Sequence, residues 1–251
     1  PQSVLPGISA AIHETGHALY EQGIPERLRG LPVGTYPSLG LHESQSRLWE
    51  NHVGLSRAFT EFMLPHLKEL FPDQIGTVTP DDFYRAANYP SRGLIRVDAD
   101  EVTYNLHIIL RFELELALFR DEIKVEDLPE AWNDRMTSYL GVRPDNDSNG
   151  VLQDMHWAIG CQGYFPTYTL GTLYAAAFYA LAERELGGID EELRAGDSNR
   201  LLQWLRTTIH ERAYLLPAKE LGESILGGPL TAVPFLDHLK TKYGELYDLS
   251  F

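Results

Sequence analysis

The 251-residue chain is long enough to bury a substantial core, and 43% of it is apolar, the share of an ordinary globular protein. A net charge of −15 argues against nucleic acid or an anionic membrane as the main partner, and no apolar run is long enough to span a bilayer. Cys161 is the single cysteine, which excludes an internal disulfide framework and a cysteine-rich zinc site; the expected location is cytoplasmic.

In chain order, residues 3–22 are expected to be helical. Ala10, Ala11, Ala18 and Leu19 favour a helix, Ser9 is a candidate cap, and Gly23 followed by Pro25 is a stop. Leu28 to Leu39 is turn-rich. Ser38 should cap a long helix reaching about Leu70, which Pro65 should kink or split. Thr79-Pro80-Asp81-Asp82 starts another helix, ending near Asn88-Tyr89-Pro90. Gly93 to Val97 is the best strand candidate. Asp100 to Asp121 follows as a helix with Val102, Leu106, Ile109, Leu110, Leu114 and Leu118 along one side. Further helices are expected over Glu130–Leu140, Tyr168–Leu186, Asn199–Leu216, Ala218–Ile225 and Thr231–Tyr247. Asp145 to Gly150 lacks full calcium-loop spacing and reads as a solvated turn. The expected fold is one mostly helical domain over residues 1–251 with a very small β element.

The chemistry concentrates in the first helix, which carries His13-Glu14-Thr15-Gly16-His17. Two histidines four apart project from one face of a helix and can grip one zinc ion, with Glu14 beside them able to reach a water. A third protein ligand is then needed, and Glu21, Glu26, His42, Glu43 and Glu50 are the nearby candidates. Helical spacing brings Glu43 and Glu50 to nearby faces and does not choose between them.

His13 to His17 followed by His42-Glu43-Ser44-Gln45 resembles the thermostable (Taq) carboxypeptidase family of zinc metallocarboxypeptidases. Three later stretches match it as well: Ile95 to Asp100, Gly150 to Trp157, and Gly163 to Tyr168. The resemblance implies His13, His17 and Glu43 as zinc ligands and Glu14 as catalytic base. It also implies a helical fold with a deep groove, peptides with a free C-terminus as substrates, and commonly a homodimer. Cobalt can replace zinc in such sites. Two motifs that members carry upstream of the His-Glu-x-x-His helix, a His-Pro-Phe and an Asp-x-Arg-x-Thr, do not occur here. The chain thus resembles the C-terminal half of such an enzyme, and the expectation is that it binds zinc but cleaves peptides poorly alone.

A carboxypeptidase must recognise a free carboxylate, and a guanidinium fork suits that planar anion. Arg96 is the first candidate; with Asp98 and Asp100 close by, an ordinary ion pair is the plain alternative. His156 could donate to a substrate oxygen or be a bonded core histidine. Tyr164 and Tyr168, flanking Pro166, could point a phenol at an oxyanion or simply pack as aromatics. His52, His66, His107, His210 and His238 fall outside ligand spacing and read as structural. The rival functions are a zinc endopeptidase or aminopeptidase with the same ligands, and an inactive metal-binding fragment.

Overall fold

The computed structural model describes residues 4–251. Twelve α-helices account for most of these residues, and no strand occurs among them. The chain divides into two compact units, one joining the chain up to Asn88 with Leu170–Phe251 and the other spanning Tyr89–Thr169.

In the first unit, α1 is Leu5–Gly23 and α2 is Leu39–Arg47, which continues as a π-helical turn over Leu48–Gly54. Ser38 caps α2, its side chain accepting from the Leu41 amide, as its sequence position predicts. Ser9 does not cap α1. Val4 holds that position, and Ser9 sits inside the helix with its hydroxyl turned to a side chain on the π turn. Residue 3, the expected start of this helix, lies outside the described residues.

The single helix expected from Ser38 to Leu70 is in fact two, and the break is not at the proline. The chain leaves the helix at Leu55, and Ser56 caps α3, Arg57–Leu70, by accepting from the Phe59 amide. Pro65 lies within α3 without splitting it. A side-chain cap offers the new helix a start that Pro65, which removes a donor and crowds the carbonyl four residues before it, does not. The short α4, Pro72–Ile75, follows. The helix start read from Thr-Pro-Asp-Asp is α5, Pro80–Ala87, and there Thr79 and Asp82 form a reciprocal capping box.

The second unit corrects the small β element. Ile95 is extended, but Arg96–Asp98 closes into a 3-10 turn. The Gln153 side chain stands where a neighbouring strand would: it donates to the Leu94 carbonyl at 3.0 Å and accepts from the Arg96 amide at 2.9 Å. One amide side chain satisfies the segment, so no ladder forms. The helix expected from Asp100 begins later, as α6, Tyr104–Phe119, because the Asp100 carboxylate caps the preceding turn through the Val102 and Thr103 amides. Its buried side is Tyr104, Ile108, Leu110, Arg111 and Leu114, whereas Ile109, placed inward by apolar periodicity, is exposed. α7, Leu128–Leu140, packs on α6 through Trp132, Met136 and Leu140 and ends at Gly141 with φ +69°.

α8 runs Pro166–Leu186; its residues from Gly171 onward belong to the core of the first unit, where Ala175, Phe178 and Ala182 are buried. The short α9, Asp190–Arg194, leads to α10, Asn199–Thr208. A 3-10 turn over His210–Arg212 ends the longer helix expected there. α11, Ala218–Leu226, and α12, Val233–Tyr247, complete the chain. Tyr20, Leu41, Leu48, Phe178, Leu205 and Leu221 meet in one core, each such side chain contributing roughly 1.5–3 kcal/mol on burial. That core fixes α1 against α2, and the candidate site lies on this contact.

Candidate metal centre

α1 and α2 approach unusually closely where they cross. A Cβ on Gly16 would stand 2.6 Å from the Gln45 carbonyl oxygen and 2.6 Å from the Ser46 Cα, so only glycine permits the contact. Gly171 on α8 plays the same part on the other side of α2, where a Cβ would meet the Glu43 Cγ at 2.5 Å. Packed against Gly171, Glu43 is buried and directed toward the histidines of α1.

His13 Nε2 lies 3.6 Å from Glu43 Oε2, and His17 Nε2 lies 3.4 Å from the same oxygen. The three ligand atoms fall within 4.8 Å of one another. A tetrahedral ion with bonds of about 2.0–2.2 Å would hold its ligand atoms about 3.3–3.6 Å apart, so the two observed separations suit a small divalent cation. Two imidazoles and one carboxylate are also the donor set that zinc accepts, leaving a fourth position open.

The remaining candidates for third ligand are accounted for. Glu50 Oε2 accepts from His13 Nδ1 at 2.8 Å, and Ser9 Oγ donates to Glu50 Oε1 at 2.7 Å. A carboxylate on Nδ1 leaves the Nε2 lone pair of His13 facing Glu43. Glu21 takes His42 Nε2 at 3.1 Å, and Glu26 pairs with Arg29 at the surface. His17 is held by packing instead: His42 stacks on it at 4.4 Å and His13 meets it edge-on at 4.9 Å. Burial and the nearby His17 lower the pKa of His42, which favours its neutral form.

Arg47 was not singled out by the sequence. Its Nε donates to Glu43 Oε1 at 3.0 Å and its Nη1 to Glu50 Oε2 at 3.1 Å. Burial works against the charge on Glu43, but the His17 contact and the Arg47 and His13 charges outweigh it and hold the carboxyl at about 2. Glu50 is lowered in the same way, burial again being overcome, here by His13, Arg47 and Ser9. Both acids are therefore anions at neutral pH. Glu14 follows His13 on α1 and is exposed to solvent.

The four expected substrate-binding residues all lie in the second unit, where Asp154 pairs with Arg96. Arg96 is buried and donates to Asp154 through Nε at 3.1 Å and Nη2 at 2.7 Å, while its Nη1 reaches the Tyr104 hydroxyl at 3.2 Å. Its partner is thus Asp154 rather than the nearer-in-sequence Asp98 or Asp100. The fully buried Arg111 brings a second guanidinium, bonding Asp154 Oδ2 at 2.7 Å and the His107 carbonyl at 2.7 Å. Burial pushes Arg111 down to about 10, with Asp154 opposing the shift. His156 Nε2 and the Tyr168 hydroxyl are 2.9 Å apart, and the Tyr168 ring lies 4.9 Å from the Arg96 guanidinium carbon. The Tyr164 ring packs against both His156 and Tyr168. Glu115 ties down the same segment through the Trp157 indole and the Gly163 amide.

Asp154, Gln153 and Arg111 are the residues that sequence reasoning passed over here. The first two stood inside a quoted motif without a role, and Arg111 interrupts an apolar helix side, a position where a charge must find a partner. Among the histidines read as structural, His210 is fully buried and bonded to Gln45 at 2.8 Å.

Comparison with known proteins supplies the family. The model of "Carboxypeptidase Taq (M32) metallopeptidase" matches residues 1–243. Thermostable carboxypeptidase 1 of Thermus thermophilus is 51% identical over 241 residues, covering 96% of this chain and 47% of that protein. Carboxypeptidase 1 of Bacillus subtilis is 41% identical, covering 96% and 48%. The solved M32 carboxypeptidase of Deinococcus radiodurans R1 superposes with a TM-score of 0.93 at 45% identity, covering 96% of this chain and 49% of that one. The chain spans about half the length of the curated relatives it matches. With a His-Glu-x-x-His helix, a carboxylate aimed at its histidines and this likeness over nearly all of its length, the chain belongs to the carboxypeptidase Taq (M32) metallopeptidase family.

Proposed function

We propose that the protein is a metallocarboxypeptidase that removes the C-terminal residue of peptides, with His13, His17 and Glu43 holding zinc, or cobalt in its place. The observation that carries this reading is the approach of two imidazole nitrogens to one carboxylate oxygen at 3.4 and 3.6 Å in a chain of this family. The bound ion would supply a Lewis acid for the scissile carbonyl and a lower pKa for water.

The rest of the chemistry falls to the chain. Glu14, exposed and next to His13 on α1, takes the proton of the attacking water and delivers it to the leaving amine. Glu50 keeps His13 in the tautomer that offers Nε2. Arg96, His156, Tyr164 and Tyr168 are the proposed substrate-binding group. Arg96 supplies positive charge for the terminal carboxylate, and Tyr168, bonded to His156, is a hydroxyl donor toward a developing oxyanion. Arg111 shares the Asp154 carboxylate with Arg96. A homodimer is the proposed assembly, to be checked by sedimentation.

Peptides that differ only in a free or amidated C-terminus test the reading. The free acid should be cleaved, slowly by this chain alone, and the amide left intact, with activity lost to a chelator and restored by zinc. Equal cleavage of both would assign the site to an endopeptidase or aminopeptidase.

A further inference from the structure

The Arg47 contacts have a consequence for the ligands themselves. A carboxylate can bind an ion through one oxygen or through both. In Glu43 the two oxygens have different surroundings: Oε2 faces both histidine nitrogens, and Oε1 accepts from Arg47 Nε at 3.0 Å. The same guanidinium reaches Glu50 Oε2, the atom that accepts from His13 Nδ1. One arginine thereby touches a candidate ligand directly and a second one through its hydrogen-bonded carboxylate.

We propose that Arg47 is a positioning residue of the metal centre: by bridging Glu43 and Glu50 it restricts Glu43 to one ligating oxygen and locks the His13 ring in register with it. The inference rests on the metal reading proposed above. Its register follows from the helix, since Arg47 is four residues after Glu43 and three before Glu50, the two spacings that share a helix face. The residue stands where α2 passes into the π turn, a local widening common at functional positions. Lysine could not do the same. Its ammonium is a single point charge, whereas separate nitrogens of the guanidinium serve two carboxylates at once. Ser9 completes the arrangement by holding the other oxygen of Glu50, so that the anion cannot rotate away from His13.

Cobalt loading tests this without reference to turnover. Co²⁺ affinity, by chelator competition, and the visible spectrum of the cobalt protein are compared for the unaltered protein, Arg47→Met, Arg47→Lys and Glu50→Gln, with circular dichroism checking the fold. Arg47→Met should bind cobalt about 10–100-fold more weakly, as expected for loss of an outer-shell partner. Its visible bands should weaken and shift toward those of a higher coordination number, because Glu43 Oε1 becomes free to ligate. Arg47→Lys should show the same spectral shift with a smaller loss of affinity. Glu50→Gln should lose affinity yet keep the spectrum of the unaltered protein, since Arg47 still holds Oε1. A folded Arg47→Met or Arg47→Lys protein with unaltered affinity and bands would overturn the proposal while leaving the metal reading intact. Failure of the unaltered protein to bind cobalt would overturn both.

Discussion

Glu14 and Glu43 lie on facing helices and carry the same functional group, yet their surroundings differ, and we assign them opposite tasks. Glu43 is buried against two imidazoles and a guanidinium, which hold it as an anion. Glu14 is exposed to solvent, and the proposed mechanism makes it the base. Glu14→Gln should therefore retain metal while turnover falls by about 10²–10⁴-fold, the usual worth of a general base. Metal content and rate measured on one preparation check this, and activity surviving in the loaded variant would remove Glu14 from the mechanism. Asp154 poses a different problem, because it is the one carboxylate shared by Arg96 and Arg111. Asp154→Asn leaves two buried guanidiniums without a counter-ion and should cost about 3–5 kcal/mol. Arg111→Met leaves one matched pair and should cost less. Urea unfolding of the two variants decides the order, and a milder effect of Asp154→Asn would contradict the shared counter-ion role given to Asp154.

At the scale of elements, the site depends on how closely α1 and α2 cross. Gly16→Ala would add a methyl group against backbone atoms, the Gln45 carbonyl and the Ser46 Cα, neither of which can swing aside. The overpacking should cost about 1–3 kcal/mol, more than the helix propensity gained. It should also weaken metal binding, because His13 and His17 move on one helix and Glu43 on the other. Chelator competition and urea unfolding measure the two effects, and a stabilised variant with unchanged affinity would show that the crossing is looser than described. Much of this was legible beforehand. The four-residue spacing of His13 and His17 is a property of one helix, as is the helix start at Thr79-Pro80, and both follow from local text. Helical spacing alone did not choose Glu43 over Glu50; that choice came with the family resemblance. The two acids are seven residues apart on one helical face, and the π turn and the packing of Gly171 that separate their roles are tertiary. The Gly93–Val97 segment misled for a related reason: extended residues were read as a strand, but their backbone partner is the distant Gln153 side chain.

For the molecule as a whole, no helix of the described residues is long and apolar enough to cross a membrane, and the net charge is −15. Buried histidines set its response to acid. Burial, helped by Arg206, lowers His210 to about 3, and burial, helped by Arg111, lowers His107 to about 4. Both stay neutral in the folded chain, whereas the unfolded chain protonates them near about 6.5. Their contribution is intact above that pH and is lost as the pH falls toward the folded values, on the order of 1–2 kcal/mol per group by pH ~5. The urea midpoint of the metal-free protein should therefore drop between pH 7 and pH 5. A constant or rising midpoint would mean that these histidines carry protons when folded. The account stands or falls, however, on where the ion binds. An anomalous-difference map from zinc-soaked crystals tests that most directly. It should place one peak about 2.0–2.2 Å from His13 Nε2, His17 Nε2 and a single Glu43 oxygen, with Glu50 still on His13 Nδ1. Zinc bound through Glu50 with Glu43 turned away, or no peak between these helices, would contradict it.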